Sequence, residues 1–143
     1  VMGHVGLLPQ SSTNFKLKGK NFIQKEKILQ DAIAVSNSGA FAIVIECVVE
    51  SLAKKITKSV SVPTIGIGAS KYCDGQILVT EDMLGLSDFY PKFVKKYSKL
   101  KKIIDKCVKS YVQDVKTRRF PSLKTCRTVD RTESRLPAPS RRC

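Results

Sequence analysis

The sequence predicts an α/β fold with a parallel sheet, because short apolar runs alternate with segments of helical periodicity. Phe41–Ile45 and Val62–Ile67 are almost wholly apolar, as strands buried on both faces are. Between them, Glu50–Ser59 repeats its apolar residues at helical spacing. Strand–helix–strand units of about 30 residues bring strands parallel and cover the sheet with helices.

Further elements extend this pattern in both directions. Val1-Met2 reads as part of a strand that leads into Gly3–Gly6. A helix is expected over Glu26–Ser36, a short strand over Gln76–Val79, and a Lys-rich amphipathic helix from Pro91 to about Lys116. Asn37-Ser38-Gly39 should end the first helix. The apolar residues expected to face the core from the first two helices are Ile28, Leu29, Ala32, Ile33, Val35, Leu52, Ala53 and Ile56.

Charge divides the 143-residue chain into a body and a tail. The net charge of +14 would suit nucleic acid, but all seven arginines lie at or beyond Arg118. The tail at 124–143 is rich in Arg, Ser, Pro and Thr, so it should be disordered. Its arginines lack interleaved aromatic residues, so an unstructured end is favoured over nucleic-acid binding.

Cysteine spacing and hydropathy indicate the cellular compartment of the protein. The cysteines are scattered, with no C-x-x-C pair and no histidine cluster, which predicts reduced thiols in a cytoplasmic protein and no zinc site. No apolar run approaches the roughly 20 residues that a membrane span needs. The cysteines are Cys47, Cys73, Cys107, Cys126 and Cys143.

Candidate functional residues lie where the apolar runs end. His4, Glu46 and the glycines Gly66 and Gly68 follow or close three runs, so they should meet at one edge of a parallel sheet. A carboxylate at the end of a buried strand is costly unless it is paired or used. From the residues alone, Glu46 could be a capping or ion-paired carboxylate, and His4 a hydrogen-bonded core or loop residue.

Other polar residues suggest structural roles. Asp74 and Asp82 read as turn and cap residues rather than catalytic ones, and Cys47 reads as a small core residue.

Five motifs in order carry a family resemblance. Residues 1–123 resemble ketopantoate hydroxymethyltransferases, with Arg119-Phe120-Pro121 matching the last family motif before the tail at 124–143 departs from the pattern. The motifs are Gly3–Ser11, Ile45–Val48, Pro63–Ala69, Cys73–Val79 and Pro91–Val94.

The resemblance implies a fold and a reaction. The expected fold is the C-terminal half of a TIM-type (β/α)8 barrel of the phosphoenolpyruvate/pyruvate-binding superfamily. The implied reaction transfers a hydroxymethyl group from 5,10-methylenetetrahydrofolate to 3-methyl-2-oxobutanoate, giving 2-dehydropantoate for pantothenate synthesis. By the same resemblance, Glu46 is the catalytic base, His4 faces the substrate, and Gly66 and Gly68 let backbone approach it.

The resemblance also implies a cofactor and an assembly. Family enzymes use Mg²⁺ bound by two aspartates and a glutamate on earlier strands, and a lysine there binds substrate. Those positions have no counterpart in this sequence, so the chain is expected to be a partial enzyme that is inactive by itself. Small-molecule substrates and a decamer-like homo-oligomer are the implied partners.

Two alternatives stay open. The chain could be a catalytically dead remnant or fusion, keeping at most an assembly surface or a non-specific nucleic-acid-binding tail. It could also belong to another barrel enzyme that acts on a 2-oxo acid, such as a lyase, although the Gly3–Ser11 and Cys73–Val79 motifs argue against that interpretation.

Overall fold

The sheet is the centre of the fold. A computed structural model describes residues 1–11, 16–122 and 124–125. In it four parallel strands lie in the order β1-β2-β3-β4, so each strand pairs with its neighbour in sequence. The predicted α/β class with a parallel sheet is therefore confirmed. The strands are β1 (Met2–Gly6), β2 (Ala42–Glu46), β3 (Thr64–Ile67) and β4 (Gly75–Gln76).

Four α-helices are present in the part of the chain that the structure describes. They are α1 (Phe22–Asn37), α2 (Glu50–Ser59), α3 (Thr80–Leu84) and α4 (Leu100–Lys116), with a 3-10 turn at Pro9–Ser11. The described part of the chain divides into two compact units, one from Val1 to Leu100 and one that begins at Lys101. The first unit holds the sheet with α1, α2 and α3, and the second holds nearly all of α4.

One face of the sheet packs against the helices. Val5, Ile43 and Ile45 are buried in a single cluster with residues of α1 and α2. The residues predicted to face the core are found there: Leu29, Ala32, Leu52, Ala53 and Ile56 are buried, and Ile28, Ile33 and Val35 pack against the cluster.

Strand residues of opposite parity point to the other face. His4, Val44, Glu46 and Ile65 alternate with the core residues and are only half-buried. The candidate site residues His4 and Glu46 therefore project away from α1 and α2.

Local signals explain the first two helices. Asn21 caps α1, its side-chain oxygen accepting the Gln24 backbone N–H at 2.8 Å. The predicted stop is confirmed, since α1 ends at Asn37 and Gly39 has a φ of +86°. The predicted helix Glu50–Ser59 is confirmed at both ends as α2.

Several predicted boundaries were wrong. Helix α1 begins at Phe22 rather than Glu26, because the Asn21 cap starts it before its apolar face reaches the core. Strand β3 begins after Pro63, and β4 covers only Gly75–Gln76. The short helix α3 was not predicted; Gly85, at a φ of +70°, ends it.

The predicted Lys-rich helix starts nine residues late, at Leu100 instead of Pro91. The segment from Pro91 to Lys99 is not helical. Within it, the Tyr97 backbone N–H donates a hydrogen bond to the Met83 carbonyl of α3 at 2.8 Å. Within α4 itself no side chain is buried, so both its lysine face and its apolar face are exposed.

Two predictions from the sequence concern the cysteines and the tail. Cys47, Cys73 and Cys107 are free thiols, whereas Cys126 and Cys143 lie outside the described residues. The predicted disorder of the tail at 124–143 concerns residues outside the described ones, apart from 124–125. Of the helices in the described ranges, none has the length and apolar character to cross a membrane.

Candidate active site

The ends of β1, β2 and β3 meet at one edge of the sheet. The register pairs Gly6 with Glu46 and Glu46 with Ile67, so the last residues of the three strands lie side by side. The carboxyl ends of parallel strands are where α/β proteins build their sites. The sequence-based expectation that the three runs end at one mouth of the sheet is confirmed.

A carboxylate and an imidazole meet at this edge. Glu46 Oε2 lies 3.1 Å from His4 Nε2, and the two side chains are 13% and 31% exposed. The Nε2 atom is buried and, among the described residues, has no aligned hydrogen-bond partner, so its closeness to Glu46 is not a satisfied hydrogen bond. A buried nitrogen without a partner is costly, which marks a place where a ligand atom would be favoured.

Gly6 allows β1 to approach the end of β2. Its φ is +97°, and a Cβ there would overlap the Glu46 carbonyl oxygen and the Val48 side chain. The chain then turns so that the Leu7 N–H donates to that Glu46 oxygen at 2.8 Å. Gly6 thus fixes the backbone of the catalytic candidate, a role that sequence reasoning missed although the glycine stood in a recognised motif.

Cys47, directly after Glu46, adopts an unusual backbone conformation. Its φ of 51° is rare for a residue with a side chain. Two hydrogen bonds hold it: its N–H donates to the Ile67 carbonyl at 2.9 Å, and its carbonyl accepts the Lys18 N–H at 2.8 Å. Burial, and then the neighbouring Glu46 charge, raise the pKa of the Cys47 thiol. The prediction of a small core residue agrees with its burial.

The two candidate substrate-binding glycines occupy different surroundings. Gly66 is buried, and the space a Cβ would take is bordered by the Gln76 side chain and Cys73 Sγ. Gly68 has a φ of +60°, and the Phe93 ring lies where its Cβ would be. A close approach of either glycine to substrate stays a prediction, because protein side chains border both positions.

A largely apolar cavity of about 360 Å³ opens beside Glu46. Ile67 forms part of its floor, and Phe89 and Phe93 contribute aromatic walls. Glu46 and Asp82 are the two acidic residues in its lining. The full lining is Pro9, Glu46, Ile67, Leu78, Val79, Asp82, Phe89, Pro91 and Phe93.

His4 borders a second cavity, of about 550 Å³, which is lined mainly by residues of β1 and α1. Lys18, Lys27 and Asp31 add charged groups to its lining. In the described part of the chain, β1 is an edge strand of the sheet.

The remaining acidic candidate has a structural role at the other end of the sheet. Asp74 Oδ2 accepts the Thr64 backbone N–H at 2.8 Å and the Thr64 hydroxyl at 2.9 Å. These bonds, the backbone one foremost, lower the pKa of Asp74. Asp74 therefore lies beside the amino end of β3, whereas Glu46 lies at the carboxyl end of β2. This position agrees with the structural role predicted for Asp74.

A magnesium site needs several oxygen ligands in one place. Across residues 1–11, 16–122 and 124–125, no group of three or more His, Cys, Asp or Glu side chains could hold a metal ion. His4 and Glu46 supply only two donors, one of them a nitrogen. These residues by themselves do not fit a magnesium site.

Comparisons with known proteins converge on one family. The family model described as ketopantoate hydroxymethyltransferase matches residues 1–123. A 3-methyl-2-oxobutanoate hydroxymethyltransferase of Pelagibacter ubique (strain HTCC1062) is 52% identical over 124 residues, covering 87% of this chain and 48% of the relative. That of Phenylobacterium zucineum (strain HLK1) is 56% identical, covering 85% and 45%.

A third relative extends the match. The 3-methyl-2-oxobutanoate hydroxymethyltransferase of Maricaulis maris (strain MCS10) is 48% identical over 136 residues, covering 93% of this chain and 49% of the relative. The chain spans about half the length of the curated relatives it matches.

Proposed function

The chain belongs to the ketopantoate hydroxymethyltransferase family, and from this premise we propose that it supplies the base-bearing half of a hydroxymethyl transferase. The observation that carries the proposal is the half-buried Glu46 carboxylate at the end of β2, 3.1 Å from a histidine nitrogen without an aligned partner. The substrates are 3-methyl-2-oxobutanoate and 5,10-methylenetetrahydrofolate, and the product is 2-dehydropantoate.

Glu46 acts as the general base. Its carboxylate takes the proton from C3 of the oxo acid, leaving an enolate and a protonated Glu46. The enolate carbon forms a bond to the one-carbon unit of the folate. The bonds that join this one-carbon unit to N5 and N10 of the folate both break. Water supplies the hydroxyl group, and its remaining proton and the proton held by Glu46 go to the two nitrogens, which releases tetrahydrofolate and 2-dehydropantoate.

His4 orients the oxo acid or its product. Its Nε2 is buried at the same strand ends as Glu46 and lacks an aligned partner among the described residues. An oxygen atom of the substrate gives that nitrogen the hydrogen bond it lacks, so binding offsets the cost of burying it.

The proposal includes a larger assembly. The strands follow one another in sequence order, and α1 and α2 cover one face, as in half of a (β/α)8 barrel. Polypeptide that continues the sheet beyond β1 would bring the Mg²⁺ ligands that these residues do not provide. We propose that the complete enzyme is a cytoplasmic homo-oligomer resembling a decamer. The chain alone is inactive in this proposal.

Deuterium exchange at C3 of 3-methyl-2-oxobutanoate tests the base separately from folate chemistry. The full chain is mixed with a polypeptide covering the part of the Pelagibacter ubique relative that this chain does not match, with Mg²⁺, in D₂O. We expect exchange by the mixture and none by the chain alone. Glu46→Gln should slow exchange at least about 100-fold, as loss of a general base does.

Glu50→Gln is the matched control. Glu50 lies four residues further along, is exposed, and begins α2, so its neutralisation should leave exchange nearly unchanged. If the mixture with Glu46→Gln exchanged within about threefold of the mixture with the unmodified chain, Glu46 would not be the base. No exchange by the unmodified mixture would favour the alternative of a catalytically dead remnant.

A further inference from the structure

An aromatic segment lies next to the Glu46 cavity. Phe89, Tyr90 and Phe93, here called the aromatic ledge, are all exposed, and Phe89 is 77% exposed. Large apolar side chains grouped at the surface beside a cavity are typical of binding surfaces. Base catalysis at Glu46 assigns no role to them.

The ledge separates two adjoining cavities. Phe89, Pro91 and Phe93 line both the cavity that contains Glu46 and a neighbouring one of about 480 Å³. The second cavity also contains Gly68 and Lys92. A ligand resting on the ledge would therefore reach the base from one side and a lysine from the other.

Gly68 holds one ring of the ledge, that of Phe93, against the sheet. The Phe93 ring fills the place of the missing Gly68 side chain, directly after β3, so the ring is fixed relative to the strand ends. A rigid aromatic surface loses little conformational entropy when a flat ligand stacks on it.

Lysines surround the ledge. Lys92 lines the second cavity, and the ammonium of Lys96 lies 3.5 Å from the centre of the Tyr90 ring. Lys95 is exposed in the same segment. The ledge thus combines flat apolar faces with positive charge, which complements a ligand that has both an aromatic ring system and carboxylates.

We propose that the aromatic ledge binds the folate co-substrate. The flat pterin and aminobenzoyl rings stack on Phe89 and Phe93, and the glutamyl carboxylates lie toward Lys92 and Lys96. This arrangement directs the one-carbon unit into the cavity that contains Glu46. The inference rests on the proposed function, because it names where that reaction's second substrate binds.

Direct binding of a stable folate tests the ledge without turnover. The full chain is titrated with 5-formyltetrahydrofolate by calorimetry. Phe89→Ala should weaken binding about tenfold, as loss of a stacked aromatic partner does. Lys92→Gln should weaken it about threefold, and more for the triglutamate form than for the monoglutamate.

Matched controls lie elsewhere on the chain. Phe22 is 79% exposed at the start of α1, so Phe22→Ala removes an equally exposed ring outside the ledge. Lys58→Gln removes an exposed lysine from the last turn of α2. Neither change should alter folate binding.

Three outcomes would overturn folate binding at the ledge. No binding to the unmodified chain, or equal binding by Phe89→Ala and Phe22→Ala, would refute it while leaving the C3 exchange assay to decide the proposed function. If Phe89→Ala instead impairs only association with the complementary polypeptide, the aromatic rings are a packing surface. Failure of exchange alongside normal folate binding would count against the proposed base and not against the ledge.

Discussion

The two ends of the sheet treat polar groups in opposite ways. At the carboxyl end, His4 Nε2 is buried without an aligned partner among the described residues, and Cys47 has a left-handed φ. At the amino end of β3, the Thr64 hydroxyl contacts both Asp74 Oδ2 and the Thr57 hydroxyl at 2.9 Å. One end leaves hydrogen-bonding capacity unused, and the other has its polar groups paired.

This difference indicates that the amino end of the sheet contributes mainly to stability and the carboxyl end mainly to function. Paired groups at the amino end contribute to folding, because each buried donor or acceptor exchanges water for a protein partner. Buried groups without an aligned partner and strained backbone at the carboxyl end cost stability, which proteins tolerate where ligands bind. Substitutions at the two ends should therefore affect different measurements.

The largest stability effect is expected from Gly6→Ala at the carboxyl end. The new Cβ would overlap the Glu46 carbonyl, and alanine would have to adopt a disfavoured positive φ. The free energy of unfolding should therefore fall by about 3 kcal/mol. Urea unfolding measures this loss.

Gly39→Ala isolates the contribution of backbone conformation. Gly39 has a φ of +86°, but a Cβ added there would meet nothing within 4 Å, so this change should cost only about 1 kcal/mol. Equal losses at the two glycines would show that close approach of β1 to Glu46 does not matter.

Thr64→Val should have the next largest effect. Thr64 is fully buried, and losing its hydroxyl removes bonds to Asp74 and Thr57, so unfolding free energy should fall by about 1.5 kcal/mol. Glu46→Gln should change it by less than about 0.5 kcal/mol, because no aligned hydrogen bond to its carboxylate is present among the described residues. A larger loss from Glu46→Gln than from Thr64→Val in urea unfolding would reverse the comparison.

Acid should weaken the amino end through Asp74. Its pKa lies below the ordinary value of 3.8 when the chain is folded, so its contribution is complete above about pH 5 and is lost as pH falls through the folded pKa. Because Asp74 is exposed, the effect should stay below about 1 kcal/mol. Urea unfolding measured between about pH 6 and pH 3 should show that the difference in unfolding free energy between the unmodified chain and Asp74→Asn becomes smaller as the pH falls.

Asp31→Asn controls for the loss of one negative charge. Asp31 is exposed on α1, away from Thr64, so its substitution should not reproduce the shrinking difference. A difference of constant size for Asp74→Asn would mean that its carboxylate is not responsible for the pH dependence.

Sequence periodicity captured the parts of the fold that hydrophobic burial decides. The inward residues of α1 and α2, and the alignment of Glu46 with its neighbouring strand ends, follow from alternating apolar runs. Long-range contacts decided what it missed. The Tyr97-to-Met83 hydrogen bond keeps the segment before Leu100 out of α4, and no local pattern encodes it.

The site was predictable in its residues but not in its geometry. Glu46 and His4 stood out by position and by motif, yet their 3.1 Å separation depends on strand register. Cys47 gave no sign of a positive φ, because cysteine is not a turn residue and its conformation is imposed by hydrogen bonds to Lys18 and Ile67.

The smallest expected effect reports the charge of Glu46 through its neighbour. Glu46 raises the pKa of the Cys47 thiol, so Glu46→Gln should lower that pKa and increase the thiolate fraction at mildly alkaline pH. Iodoacetamide labelling of the Cys47 peptide, followed by mass spectrometry, should then accelerate by no more than about threefold, since burial is the larger cause of the raised pKa. Labelling of Cys73, also buried, corrects for any general loosening of the fold. Equal acceleration at both cysteines would indicate loosening, whereas a change confined to Cys47 would place a negative charge on Glu46 at the carboxyl end of the sheet, the form a general base requires.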